Sequence, residues 1–406
     1  MRRFKVLTLL LVLLLILSSV SYAKDIEISG SLNSYLVGNP NNGLIEEEEK
    51  VNLILEKEFG FDANMHLDLE FKSDANSSTT TSFNEAYLNY YTQNMDWRLG
   101  KQEISWGSAY KINPTSYFNP NDLTALKPLD EKLGVKAIKG IYYAPRGLEI
   151  TGVVVPFFRE DELGEENVDS IVNKIEQELK VMNPSLDEVA YSKSDTKNNI
   201  ENIESGFKVT KRRFHGYDVS LSAYHGRDKL PAIDNKATLD TVIDGDTKAT
   251  INFVYPKANH VGLDIIGDLG DMGVWAETTY SDYQDEQFKN VIETAVGIDY
   301  KFDNNLYLVG QGYYKEGRTE SEPRVKAANF YVSKPIFDFH EIEVTTLYDF
   351  ESETSLIEPQ FNYSLANSVE LQLGGTYVDS AEKDTSSGLI SALGQDRIYT
   401  RLNVEF

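Results

Sequence analysis

The sequence of 406 residues contains no cysteine and only five histidines. The lack of cysteine excludes disulfides, thiolate metal sites, a cysteine nucleophile and a lipid-modified N-terminal cysteine. Basic residues are also scarce: 39 lysines and arginines against 64 aspartates and glutamates give a net charge of −25. Because phosphate recognition depends on Lys and Arg, this deficit argues against a nucleic-acid-binding protein.

Long apolar runs are missing too, except at the N-terminus. Basic residues among the first five positions precede the apolar stretch 6–17, and a small-residue cleavage pattern ends at Ala23. The apolar stretch is too short and ends too abruptly to span a membrane as a helix. We therefore predict that residues 1–23 are a signal peptide and that 24–406 form the exported protein, which is either soluble or crosses a membrane as a β-barrel.

Most of the remaining chain alternates with a period of two. Apolar and polar side chains alternate strictly in 64–72, in 292–302 and in 341–350. Alternation of this kind places one set of side chains on each face of a β-strand. One face of each predicted strand is therefore apolar, and the other carries most of the charge.

The spacing of the alternating segments predicts the fold. Segments of about ten residues recur with turn signals between them, as in outer-membrane barrels. The connections alternate between short turns and long loops, which is typical of short periplasmic turns and long extracellular loops. We predict an all-β fold, a transmembrane antiparallel β-barrel of about 18 strands, with 16 as an open alternative. One hairpin more or fewer stays open because 135–157 and 203–226 alternate less cleanly.

The last segment has the same pattern and ends in an aromatic residue. Ile398, Leu402 and Phe406 share one face, while Arg397 and Arg401 share the other. The segment resembles the C-terminal targeting strand of bacterial outer-membrane proteins. This resemblance implies that the assembly machinery of the outer membrane recognises the strand, and that outer-membrane lipid surrounds the protein.

One stretch is more distinctive than the rest. It reads Trp-Arg-Leu-Gly-Lys-Gln-Glu-Ile-Ser-Trp-Gly over 97–107, followed by Asn113-Pro114 and by Asn-Pro-Asn-Asp over 119–122. The stretch resembles a strand and the loop after it in an uncharacterised family of porin-like outer-membrane β-barrels related to porins and alginate-export-type barrels. The resemblance implies a porin-like barrel, and it carries over no particular substrate.

The loop 106–134 that follows is long and contains several apolar side chains. Tyr110, Ile112 and Phe118 would be costly to expose to water together. We therefore predict that 108–132 folds into the lumen as a constriction loop, with packing over the outer rim as the alternative. The charged residues expected near the passage are Lys111, Asp122, Lys127, Asp130 and Lys132. A second long loop, 158–202, has apolar residues at helical spacing and is expected to contain a short helix.

Strand parity predicts which charged side chains line the pore. The candidates are Asp68, Glu70, Lys72, Glu85, Arg98, Asp299, Lys301, Glu341, Glu343, Arg397 and Arg401. Acidic residues are in excess along the predicted wall, and rings of carboxylates favour cations in a water-filled pore. We therefore expect a weak cation preference. The alternative is that these charges only make the wall polar enough to face water and have no role in selectivity.

Signals for an enzyme are weak. No histidines have the spacing of metal ligands, and the sequence contains no Gly-x-Ser-x-Gly elbow and no glycine-rich phosphate loop. His66 on an inward face could partner a serine, but a single lumen histidine is more often polar lining. We expect no catalytic residues, no metal and no cofactor.

The function predicted from these patterns is an outer-membrane, porin-like channel for passive diffusion of small hydrophilic solutes. One alternative is a plugged structural or adhesive barrel. Another is a soluble periplasmic carbohydrate-binding protein, which fits less well because whole strand faces are charged.

Overall fold

The computed structural model describes residues 26–40, 43–74, 79–184, 186–194, 196, 199–234, 238–241, 247–320, 322–337, 339–380 and 396–406. Eighteen of its strands form one closed antiparallel sheet. The first strand of this sheet pairs with the second on one side and with the last on the other, which leaves the sheet without an edge. The predicted antiparallel barrel of about 18 strands is confirmed. The predicted signal peptide lies outside the described residues.

The barrel strands run in chain order around the sheet, interrupted only by the loop elements described below. They are β1 (Ile26–Gly38), β2 (Ile45–Phe59), β3 (Ala63–Asp74), β4 (Thr79–Tyr91), β5 (Met95–Gln102), β6 (Val135–Ala144), β7 (Leu148–Val155), β9 (Glu204–Phe214), β10 (Tyr217–Arg227), β14 (Lys257–Leu269), β15 (Met272–Tyr283), β16 (Val291–Lys301), β17 (Tyr307–Lys315), β18 (Val325–Ile336), β19 (His340–Asp349), β20 (Thr354–Ala366), β21 (Val369–Ser380) and β22 (Arg397–Glu405). The regions that alternate less cleanly, 135–157 and 203–226, form the hairpins β6–β7 and β9–β10.

Short turns cluster at one end of the barrel, together with the start of β1 and the end of β22. The turn between β14 and β15 has only two residues, 270 and 271, and Gly270 has a φ of 67°. A reversal this tight needs a positive φ, which glycine adopts without steric cost. We call this end the short-turn end and the opposite one the long-loop end. At the long-loop end, the connection between β19 and β20 is a turn of four residues, 350–353.

The two faces of the sheet differ as the alternation predicts. Leu221, Val261, Val296 and Phe330 belong to the outward set and are all exposed. Their neighbours in the chain point inward and are mostly polar, such as Ser220 and Ser222 in β10. A closed sheet pairs the backbone hydrogen-bonding groups of its strands with one another. Its apolar exterior can therefore face lipid. This architecture is that of a β-barrel that crosses a membrane.

A small second unit stands at the long-loop end. Helix α1 (Glu165–Met182) packs on a sheet of β8 (Leu186–Lys193), β11 (Ala232–Ile233), β12 (Thr238–Thr241) and β13 (Thr247–Val254). Val168, Val172, Ala249 and Ile251 form part of its buried apolar core. Strands β8 and β13 pair in parallel, unlike any pair in the barrel. Among the described residues, no helix has the length and apolar character to cross a membrane.

Candidate functional site: the lumen and its inward loop

The connection between β5 and β6, residues 103–134, lies inside the barrel. We call it the inward loop. The amides of Ser108 and Ala109 donate to the Glu277 carboxylate on β15, and Thr115 Oγ1 donates to the same carboxylate at 2.9 Å. The amide of Tyr110 donates to Gln311 Oε1 on β17 at 2.7 Å. These bonds join the loop to inward side chains of distant strands.

Local sequence explains why this segment leaves the sheet. Pro114 and Pro120 lack the amide hydrogen that a strand ladder requires. Between them, the Asn119 side chain ties the two ends of the loop together. Its Oδ1 accepts from the Ile104 amide at 2.6 Å, and its Nδ2 donates to the Leu133 carbonyl at 2.8 Å. One asparagine therefore closes the neck of a loop about thirty residues long.

Apolar side chains of the inward loop pack against two separate parts of the wall. Trp106, Tyr117 and Phe118 join a cluster with inward residues of β6, β7 and β10, and Phe118 is completely buried. Ile112 and Leu123 join a second cluster with inward residues of β16 to β20. Burying each such side chain contributes roughly 1.5–3 kcal/mol. The loop therefore spans the lumen between two apolar contacts.

Between these contacts the loop covers charged wall residues. Glu277 is 2 % exposed and the neighbouring Asp264 is 5 % exposed. Ser108 Oγ donates to Asp264 Oδ2 at 2.6 Å, so both carboxylates are bonded to the loop. Such charge-assisted hydrogen bonds are roughly twice as strong as neutral ones. We call the inward faces of β10 and β14–β17 the covered wall.

The opposite side of the lumen remains accessible. We call the inward faces of β22 and β1–β5 the open wall. The Lys72 side chain is 38 % exposed and lies 2.7 Å from Glu48, while the Glu85 side chain is 27 % exposed. The Arg98 guanidinium lies 4.0 Å from the centre of the Tyr87 ring. Most charges here contact one another or solvent, and the loop reaches this wall at a few points: the Glu103 amide donates to Glu85 Oε1 at 2.7 Å, and Arg397 donates to the Ala125 carbonyl at 3.5 Å.

The sheet register places the other predicted pore-lining residues on the inward face. Asp68 stands opposite Glu85 on the open wall, and its neighbour Glu70 follows the same parity. Arg401 donates to Asn33 Oδ1 at 2.8 Å. The remaining ones face inward on other strands: Asp299 and Lys301 on β16, Glu341 and Glu343 on β19, and Arg397 on β22.

Some charged residues of the inward loop make hydrogen bonds within the loop, and others interact with charged residues of the wall. Lys111 donates to both oxygens of Asp130, at 2.7 and 2.9 Å, and Asp122 accepts from the Thr124 amide and hydroxyl within a local turn. Lys132 donates to Asn121. For the others, Lys127 acts electrostatically on Glu358 of β20, and burial raises the pKa of the Glu131 carboxyl, which also interacts with Lys50 of the open wall.

Sequence reasoning did not single out the two main anchors of the loop. Glu277 and Gln311 are ordinary members of alternating strands, and nothing nearby in the sequence marks them. Gln311 Oε1 accepts from the Tyr110 amide and from Trp275 Nε1, and Gln311 Nε2 donates to the Tyr110 carbonyl. The signal that could have found them is their strand parity combined with an inward loop.

The histidine considered for catalysis has acidic and aromatic neighbours. His66 Nδ1 lies 3.0 Å from Glu56 Oε1, Nε2 lies 3.9 Å from Glu85, and the ring stacks on Tyr87. No serine hydroxyl is among its contacts in the described part of the chain. Within the same residues, no group of three or more His, Asp or Glu side chains could hold a metal ion.

No family profile and no curated protein sequence matches the chain. Similar solved structures include a triple mutant of the Rhodopseudomonas blastica porin, with 11% identity, 94% of this chain and 100% of that chain covered, and a TM-score of 0.44. Another is Salmonella typhi OmpF in complex with daunomycin, with 10% identity, 94% of this chain and 97% of that chain covered, and a TM-score of 0.44. The porin-like architecture of this chain is established by its own closed sheet of 18 antiparallel strands.

Proposed function

We propose that the protein is an outer-membrane channel for passive diffusion of small hydrophilic solutes. One observation carries this proposal: the inward loop buries the charges of the covered wall and leaves those of the open wall accessible. Solutes would pass along the open wall, and the inward loop would narrow the passage from the other side. No catalytic step is part of this proposal.

Wall charge supports a weak cation preference. Along β2–β4, the inward acidic residues Glu48, Asp68, Glu70 and Glu85 outnumber the basic ones, and the loop carboxylate of Glu131 adds to them. Carboxylates that line an aqueous passage raise the local concentration of cations. Lys72 and Arg98 on the same wall reduce this effect, so the preference would be modest.

Export and assembly complete the proposal. Residues 1–23 would act as a cleaved signal peptide, with the long loops outside the cell and the short turns in the periplasm. Phe406 exchanges two backbone hydrogen bonds with Gly30 of β1, at 2.9 and 3.0 Å. The last residue thus takes part in closing the barrel, and the assembly machinery would recognise the strand that ends there.

A plugged structural or adhesive barrel is the second candidate. The observation in its favour is that the inward loop packs against two separate parts of the wall. One part is formed by β6, β7 and β10 and the other by β16–β20, so the loop spans the lumen. In that case the accessible charges of the open wall would line a closed vestibule.

Recordings in planar lipid bilayers separate the two candidates. We expect discrete conductance steps, and under a salt gradient a reversal potential of the sign that cation preference gives. The control is protein heated until its gel migration shows that it has unfolded. Silence of the folded protein in the bilayer would favour the plugged barrel, and anion selectivity would overturn the proposed role of the open wall.

A further inference from the structure

A cavity of about 240 Å³ lies behind the inward loop, on the side away from the open wall. Its lining comes from the loop and from inward residues of β10 and β14–β17, including His260, Glu293 and Lys315. Leu230, which is exposed at the long-loop end, also lines it, so the cavity extends towards that end of the barrel. A water occupies about 30 Å³ of liquid, so this volume suits a small solute rather than a drug-sized one.

Most charges around the cavity are already neutralised. Lys229 donates to both oxygens of Glu204, at 2.6 and 2.7 Å. Glu293 accepts from the Tyr313 hydroxyl at 2.8 Å and lies 3.7 Å from Lys315. Asp228, also on the lining, accepts from the Tyr283 hydroxyl at 2.7 Å and from the Arg318 guanidinium at 3.1 Å. These carboxylates therefore have little capacity left for a further cation.

Two cations of the lining, Arg227 and Lys132, have no carboxylate oxygen within 4.0 Å among the described residues. Arg227 uses all three of its guanidinium nitrogens to donate to Asn202 Oδ1 and the Tyr255 carbonyl, so Lys132 is the one with donors to spare. Its hydrogen bond goes to the Asn121 side chain, whose Nδ2 donates in turn to Asp161 Oδ1 at 3.2 Å. An ammonium group has three donors, so this arrangement leaves two unused.

Burial makes such an ammonium group costly. The loss of solvent lowers the pKa of Lys132, although the carboxylates of Asp161, Glu103 and Glu293 act in the opposite direction from farther away. A buried charge without an ion pair costs free energy that a bound ion of opposite charge would recover. Charge-assisted bonds from Lys132 to an oxyanion would supply this compensation.

We propose that the cavity behind the inward loop binds a small oxyanion, a carboxylate or a phosphate, through the Lys132 ammonium. The binding site is separate from the open wall, where acidic side chains predominate. It could therefore hold an anion in a protein whose passage favours cations, and it does not depend on conduction.

Isothermal titration calorimetry on the detergent-solubilised barrel tests the proposal, with succinate and inorganic phosphate as probes at neutral pH and low salt. We expect saturable binding of one or both at a single site, weakened at least tenfold in Lys132→Gln. The matched control is Lys139→Gln, which removes a lysine on the inward face of β6 outside the cavity and should leave binding unchanged.

Each outcome has a definite meaning. Binding of succinate alone identifies a carboxylate site, and binding of phosphate alone identifies a phosphate site. Binding that is absent for both anions, or equally strong in Lys132→Gln, overturns the proposal. Heat-dependent gel migration shows that each variant is folded. Bilayer conductance of the same samples distinguishes a loss of anion binding from a failure of the channel proposal.

Discussion

The two walls of the lumen carry similar side chains in different surroundings. Asp264 and Glu277 on the covered wall are almost completely buried and accept hydrogen bonds from the inward loop. Asp68 and Glu85 on the open wall stand opposite each other and also face the lumen; Glu85 accepts from the Glu103 amide at the start of the loop, yet its side chain stays 27 % exposed. Strand parity therefore decides that a carboxylate faces the lumen, and the loop decides whether it meets solvent or protein.

Removing apolar contact beneath the loop should have the largest effect. Phe118→Ala deletes a ring that is completely buried between Trp106 and Tyr224. We expect a loss of about 3–5 kcal/mol in the free energy of unfolding, because a cavity remains at a site that cannot collapse. Urea unfolding in detergent measures it, with the outward Phe330→Ala as control. Equal losses in both variants would show that the loop contributes no packing of its own.

Weakening the anchor of the loop should have the next largest effect. Glu277→Gln replaces a charged acceptor by a neutral one at the point where Ser108, Ala109 and Thr115 donate. We expect a loss of roughly 1.5–3 kcal/mol and noisier single-channel currents, since bonds to a charged group are stronger. Bilayer recordings and urea unfolding provide the measurements. Currents as quiet as those of the unaltered protein would contradict an anchoring role.

Neutralising carboxylates on the two walls should separate selectivity from stability. The double variant Asp68→Asn with Glu70→Gln should lower the cation preference, because both side chains face the accessible passage. Asp264→Asn, on the covered wall, should reduce stability and leave selectivity unchanged. Reversal potentials under a salt gradient compare the two. A similar shift from Asp264→Asn would mean that the covered wall also contacts the permeating ions.

Acidification should produce the smallest change. Burial raises the pKa of Glu131, so this loop carboxyl becomes neutral at a higher pH than an exposed glutamate does. As pH falls towards the ordinary range of glutamate, the passage loses this negative charge first, and the cation preference should begin to decline. Glu131→Gln should remove that early part of the decline. Reversal potentials measured as a function of pH would contradict this if both proteins gave the same curve.

The barrel was predictable from the sequence, and the contacts of the loop were not. Alternation is a local property, so neighbouring residues such as Ile292 and Glu293 can be assigned to opposite faces of a strand from the sequence alone. The bond between Ser108 and Glu277 joins residues 169 positions apart, and no local pattern encodes such a pairing. The apolar side chains of 108–132 predicted that the loop is buried. Which wall residues it contacts depends on the curvature of the closed sheet.

The small unit at the long-loop end shows the same limit. Helical spacing in 158–202 indicates a helix, and α1 occupies 165–182. The parallel pairing of β8 with β13 brings together segments about sixty residues apart, such as Ser192 and Asn252. Parallel pairs need a long crossover connection, so neither strand could be assigned a partner from its own sequence.

Labelling with a charged thiol reagent tests the difference between the two walls most directly, because the chain contains no cysteine of its own. Glu70→Cys introduces a thiol on the open wall, and Thr279→Cys introduces one beneath the inward loop, where the native side chain is 2 % exposed. We predict that the reagent modifies the folded Glu70→Cys protein rapidly and reduces its current, while Thr279→Cys reacts only after unfolding. Equal reactivity of the two folded variants would contradict the division of the lumen by the loop.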